Sequence, residues 1–307
     1  MKSKLVVAIC VMAYAAFLWT GSGLCQEKVS GTEWTQIIEQ MGDKGKINWS
    51  EGYIEAVGIG APPERYIGKP QARPLALRAA KIDAYRNLLE VTKGVRVDST
   101  TVVKDFTIAS DVINAQVDGL VKGAKVANQE YMSDGTVEVT LRMPIAGGFS
   151  QVIIPKALEK KREAAPPAAS PAASPAAPPA PPVAAPPATP APPAVVYTGM
   201  VIDARGLQAR PAMSPKILDE NGKEVYGSMN VDREYAVQQG MSGYARDLTA
   251  AQSNPRVTNN PVSVKGVKTE GPGRSDIVIG NADAEKIKSA TDNLSFLKKC
   301  RVMIVLD

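Results

Sequence analysis

Apolar positions along residues 74–92 fall on two sides of one helix. At ~100° per residue, Leu75, Ala79, Ile82, Tyr85 and Leu89 share one side, and Leu77, Ala80, Ala84, Leu88 and Val91 share nearly the opposite one. Asp83, Arg86, Asn87 and Glu90 form the polar stripe between them. Pro74 lies in the first turn, where a missing N–H is tolerated, and Gly94 stops the helix. One side is needed for a sheet. The other needs a cover, which is the N-terminal segment, the rest of the domain, or a partner meeting Leu77 and Leu88.

Strand patterns surround this helix. Residues 53–59 alternate and end at Gly60-Ala61-Pro62-Pro63, so the Gly58-x-Gly60 pair is followed by prolines where a phosphate-binding helix would have to begin. A dinucleotide site is not supported. Val95 to Val103 is rich in β-branched residues and predicts a strand, residues 109–117 predict a short helix, and two strands over 125–132 and 136–143 flank the turn Ser133-Asp134-Gly135. The order β-α-β-α-β-β predicts an α+β domain over residues 50–160. Upstream, Ser30-Gly31-Thr32-Glu33 has capping-box spacing, and Trp34, Ile37, Ile38 and Met41 fall at i, i+3, i+4, i+7, which predicts an amphipathic helix within 26–49.

A second α+β pattern occupies residues 195–307. Strands are expected over 195–202, 262–267, 276–279 and 302–306, with a hairpin around Asn221-Gly222 within 216–226. A helix carrying Ile287, Ala290, Leu294 and Leu297 precedes the last strand, and a polar stretch rich in Gly, Asn and Pro spans about 242–261. Between the two patterns, residues 164–194 hold 13 Pro and 14 Ala and no charge. Proline fixes φ and removes donors, so this stretch predicts a polyproline spacer keeping two small α+β domains apart, with a reach on the order of 90 Å if fully extended.

The first 25 residues read as a leader. Lys2 and Lys4 precede the uncharged run Leu5–Trp19 and the small residues Thr20 to Gly23. Cleavage after Cys25 is expected; lipidation of Cys25 is the competing outcome, against which stands Leu24, where lipoprotein signals require a small residue. The mature chain then keeps Cys300 alone and forms no internal disulfide. No histidine occurs anywhere, which excludes imidazole bases and His-ligated zinc. The net charge of +5, or +3 once Lys2 and Lys4 leave, is too mild to point to nucleic acid.

Candidate chemistry is sparse. Arg205 and Arg210, in Asp203-Ala-Arg-Gly-Leu-Gln-Ala-Arg210, are candidates for contact with an anionic surface, with a loop held by its own Asp203–Arg205 pair as the alternative. Asp219-Glu220 sits in a turn where carboxylates are usually solvated, so no metal, cofactor or catalytic residue is expected. Interaction surfaces are sought on Trp34, Ile37, Ile38 and Met41, on Leu77 and Leu88, and on the two arginines.

Ala72, Arg78-Ala79-Ala80, Asp83-Ala84, Leu88-Leu89, Gly94-Val95, Thr100 or Thr101, Gly119 and Val137-Glu138-Val139 resemble the small bacterial outer-membrane lipoprotein family of the twenty-kilodalton type, and are similar to the N-terminal domain of flagellar assembly protein T. The resemblance covers about a third of the chain. It implies an exported, non-enzymatic module that works by contacts with envelope proteins or cell-wall polymer, in the periplasm or on the periplasmic side of the outer membrane. The rival expectation is a ligand-binding receptor or an enzyme with its site in 195–307.

Overall fold

A computed structural model describes residues 36–154, 197–229, 231–289 and 293–307. The leader, Trp34 and the Pro/Ala stretch lie outside them. The chain is α+β, built on two sheets.

The first sheet is antiparallel throughout, in the order β1-β2-β3-β5-β4. Its strands are β1 (Ile38–Met41), β2 (Gly45–Asn48), β3 (Tyr53–Gly60), β4 (Lys125–Tyr131) and β5 (Val137–Pro144). The expected helix through Ile37, Ile38 and Met41 is a strand instead. Gly42, at φ +65°, turns the chain into a hairpin that pairs Met41 with Gly45 and Ile38 with Asn48. Ile37 is buried in the core, whereas Ile38 and Met41 are half-buried.

Helices α1 (Ala72–Gly94), α2 (Val103–Ala109) and α3 (Asp111–Lys122) belong with this sheet. α1 lies on the face carrying Ile54, Ala56, Gly58 and Gly60, and it presents Ala76, Ala80, Ala84, Leu88 and Val91, all buried. Small residues meet glycines here. A Cβ at Gly58 would overlap the backbone of Ala80 and Ala84, and one at Gly60 would overlap that of Ala76 and Ala80. Hence the Gly-x-Gly pair serves helix–sheet packing. Beyond the end of β2, the bare edge of β3 is satisfied by the polar stripe of α1. Ile59 N donates to Asp83 Oδ2 at 3.0 Å, and Asn87 Nδ2 donates to the Val57 carbonyl at 2.7 Å.

Leu88 is therefore core and not partner surface, since it is fully buried against the sheet, and Leu77 is half-buried against the same core. Ile82 remains 46% exposed on the outer side. Leu88→Ala should cost about 2–5 kcal/mol, while Ile82→Ala should cost under about 1 kcal/mol. Urea unfolding of the two variants checks the ordering, and a larger loss at Ile82 would refute this packing.

The strand expected over 95–103 does not join the sheet. It makes a single bridge, Arg96 to Val102, and turns at Asp98, whose Oδ1 accepts from the backbone N–H of Thr100 and of Thr101, each at 2.8 Å. The β4–β5 hairpin turns as its sequence specifies: Gly135 has φ +87°, and Thr136 N donates to Asp134 Oδ1 at 2.8 Å. A helical stretch, α4, covers residues 148–154.

The second sheet is mixed and has the order β8-β7-β11-β10-β6-β12-β9. Its strands are β6 (Gly199–Asp203), β7 (Ile217–Asp219), β8 (Glu224–Tyr226), β9 (Gly243–Ala245), β10 (Pro261–Glu270), β11 (Asp276–Ile279) and β12 (Val302–Val305). β10, β6, β12 and β9 run parallel. The helices are α5 (Arg233–Gln239), α6 (Leu248–Gln252), α7 (Asn281–Lys288) and α8 (Asn293–Lys298). The single helix expected through Ile287 and Leu297 is thus two, and the stretch expected as polar loop holds β9 and α6. Val201, Met303 and Val305 pack with Ala251 and Val257 on one side of the sheet, while Met200, Ile202 and Ile304 join a core that continues into the first half. The halves are not held apart: the described residues between 36 and 307 fall in one compact unit.

Candidate functional site

The segment 95–99 is a clasp between the halves. The carbonyls of Arg96, Val97 and Ser99 accept from the backbone N–H of Met213 (3.0 Å), Ser214 (2.7 Å) and Gly273 (2.7 Å). Ser99 Oγ donates to the buried Asp276 Oδ2 at 2.6 Å. Burial pushes the Asp276 carboxyl up despite that hydroxyl.

Beside the clasp, Glu39 on β1 gathers donors from both halves. Its Oε1 accepts from Arg96 Nη2 and from Arg210 Nη2, each at 2.9 Å, and its Oε2 accepts from Trp49 Nε1 at 3.0 Å. Burial raises the Glu39 carboxyl, but the hydrogen bond and charge of Arg96, with Trp49 and Arg210, outweigh it and hold the group below the usual carboxylate range. A carboxylate with a lowered folded pKa contributes stability that is complete above its unfolded pKa and is lost as pH falls through the folded value. Glu39→Gln should therefore cost about 2–3 kcal/mol at neutral pH, because two guanidinium groups lose their anion. The gap between variant and wild type should close as pH falls below the usual carboxylate range. Urea midpoints across pH test this, and a gap independent of pH would refute it.

The arginines singled out in the sequence are both committed. Arg210 is the Glu39 partner just described, and Arg205 makes a two-point pair with Asp203, Nε to Oδ1 at 2.8 Å and Nη2 to Oδ2 at 2.7 Å. That hydrogen bonding by Arg205, against some burial, lowers the Asp203 carboxyl. The loop is held by its own pair. Asp219 accepts from Lys223 N, Asn221 N and Lys288 Nζ, which pins the β7–β8 hairpin to α7. Glu220 and Asn281 exchange reciprocal backbone–side-chain bonds at 3.1 Å. Among the described residues no group of three or more His, Cys, Asp or Glu is placed to hold a metal, and no helix is long and apolar enough to cross a membrane.

The halves also enclose a cleft of about 320 Å³. Residues 49–52, from the β2–β3 turn, and residues 145–146, after β5, form one wall. The 239–244 segment with Asn254, Arg256 and Met303 forms the other. Trp49 meets Tyr244 edge-on, ring centroids 5.9 Å apart. The Tyr244 hydroxyl donates to the Ala212 carbonyl at 2.7 Å and accepts from Ala212 N at 3.0 Å, and burial pushes its pKa up to about 12. Neighbouring Cys300 is buried, which pushes its thiol up to about 11 and leaves it protonated and unreactive.

Arg256 governs the inner end. It donates to the carbonyls of Gly240 (3.1 Å), Cys300 (2.8 Å) and Gln239, and so satisfies the backbone where α5 ends and where the chain leaves α8. Burial lowers its pKa. Sequence reading missed Glu39, Trp49, Tyr244 and Arg256. Arg256 stands in Asn254-Pro255-Arg256, which reads as loop, and nothing in the linear order brings it to Trp49.

Residues 199–307 match a family model described as Treponema pallidum Tp0624, second domain. The match covers about a third of the chain and coincides with the second sheet and its helices. No curated protein matches the chain.

Proposed function

We propose that the protein is an exported, non-enzymatic component of the bacterial cell envelope that acts as an assembly or scaffold element through contacts with envelope proteins or cell-wall polymer. The observation carrying this reading is where the reactive side chains go. Arg205, Arg210, Asp219 and Cys300 are each engaged within the fold, and the hydroxyl–carboxylate pair of the polar network between the halves, Ser99 with Asp276, is buried. The leader sequence and the resemblance of residues 50–155 to the outer-membrane lipoprotein type support location in the periplasm or on the periplasmic side of the outer membrane.

Binding to a partner has a ready platform. The sheet face opposite α1 carries Lys46, Glu55 and Arg142, with Arg142 Nε 2.6 Å from Glu55 and its guanidinium 4.0 Å from the Tyr53 ring centroid. Antiparallel sheets commonly leave one such face to solvent. Crosslinking in intact cells, followed by identification of the adducts, tests the proposal. Envelope proteins or peptidoglycan fragments are the expected adducts, and exclusively cytoplasmic adducts would refute it. A second reading, a ligand-binding receptor, is favoured by one observation, the cleft between Trp49 and Arg256.

A further inference from the structure

We propose that the cleft between Trp49 and Arg256 binds a small carboxylate carrying an apolar group. The inference rests on the receptor reading and is independent of the scaffold role.

The cation is the starting point. A guanidinium has five N–H donors, and three of those on Arg256 reach backbone carbonyls: both from Nη1, to Gly240 and Cys300, and one from Nη2, to Gln239. The Nε–H and one Nη2–H have no partner among the described residues, and no carboxylate there pairs with Arg256. A half-buried charge facing only neutral carbonyls is incompletely compensated, and an anion placed on the remaining donors would complete it.

The site is also kept open at that point. Gly243 lines the cleft next to the guanidinium, and a Cβ there would come 3.2 Å from Arg256 Nε and run into the Met303 sulfur. A larger residue there would crowd the Nε edge. Around it, Met213, Met241 and Met303 supply adaptable apolar walls, with Trp49 and Tyr244 as flat ones. This combination of one half-buried cation and a soft apolar lining selects a carboxylate head with a hydrocarbon or aromatic body. One acid, Glu51, lines the cleft and accepts from Gln36 Nε2 at 2.6 Å, so a ligand that also carries an ammonium is tolerated.

Calorimetric titration of the full mature chain with 3-phenylpropionate, L-phenylalanine and L-phenylalaninamide tests the proposal. At least one of the two carboxylates should bind about ten-fold or more tighter than the amide. Ala146→Phe, a half-buried position on the opposite wall, should abolish that binding while the variant still unfolds in one transition. Arg256→Lys should weaken it about ten-fold or more, by removing the fork while keeping the charge. Failure of both carboxylates to bind, equal binding of the amide, or undiminished binding to a folded Ala146→Phe chain would each overturn the proposal. None of these outcomes bears on the crosslinking result, so the ligand site and the scaffold role fail separately.

Discussion

Gly58→Val is expected to destabilise the protein by at least about 3 kcal/mol, lowering the melting temperature by roughly 2–4 °C for each kcal/mol in a unit of this size. β propensity alone favours valine in a strand, so the sign of the effect comes from packing. The new Cβ would meet main-chain atoms of Ala80 and Ala84, which cannot rotate away as a side chain can. Nor can α1 lift as a whole. Asp83 and Asn87 tie it to the edge of β3, and Leu88 and Val91 lock its far end into the core. Gly119 is the control. It lies in α3 on ordinary helical backbone, and a Cβ there would have nothing within 4 Å, so Gly119→Ala should be neutral or stabilising by about 0.5–1 kcal/mol. Thermal melts of the two variants decide the matter. Equal melting temperatures would mean that α1 does not approach β3 as described.

How much of this was legible in the sequence depended on where each signal came from. The α1 helix, the two turns at Asp134-Gly135 and Asn221-Gly222, and the apolar strands β11 and β12 follow from local chemistry, and they appear where the pattern puts them. The strand at 38–41 did not, because Trp34, Ile37, Ile38 and Met41 imitate helical spacing by coincidence. The decisive signal was the turn Gly42-Asp43-Lys44-Gly45, followed by the alternation of Lys46-Ile47-Asn48. Val95 to Val103 does alternate, but besides its own turn its backbone partners lie at Met213, Ser214 and Gly273, beyond any local rule. The cleft was the least legible feature. Its walls come from residues 49–52, 145–146 and 239–256, and only the packing of one half on the other makes them neighbours.

Separating the halves should have the largest effect of all. A spacer rich in proline and alanine suggests two independent domains, and on that expectation residues 26–163 and 195–307, expressed apart, would each unfold as they do in the whole chain. The clasp predicts otherwise. In isolated 195–307 the N–H groups of Met213, Ser214 and Gly273 lose their acceptors, Asp276 loses the Ser99 hydroxyl, and Tyr244 loses the cover of Trp49. Each hydrogen bond contributes about 1 kcal/mol net, and each large aromatic about 1.5–3 kcal/mol when fully buried. Together these losses amount to several kcal/mol, a large part of the ~5–15 kcal/mol that holds an ordinary domain folded. Isolated 195–307 should therefore melt well below the full chain or lack a cooperative transition, and adding 26–163 in excess should raise its melting point by mass action. If 195–307 alone melts at the temperature of the full chain and ignores its partner fragment, the seam contributes nothing. The cleft between Trp49 and Arg256 would then have no fixed shape.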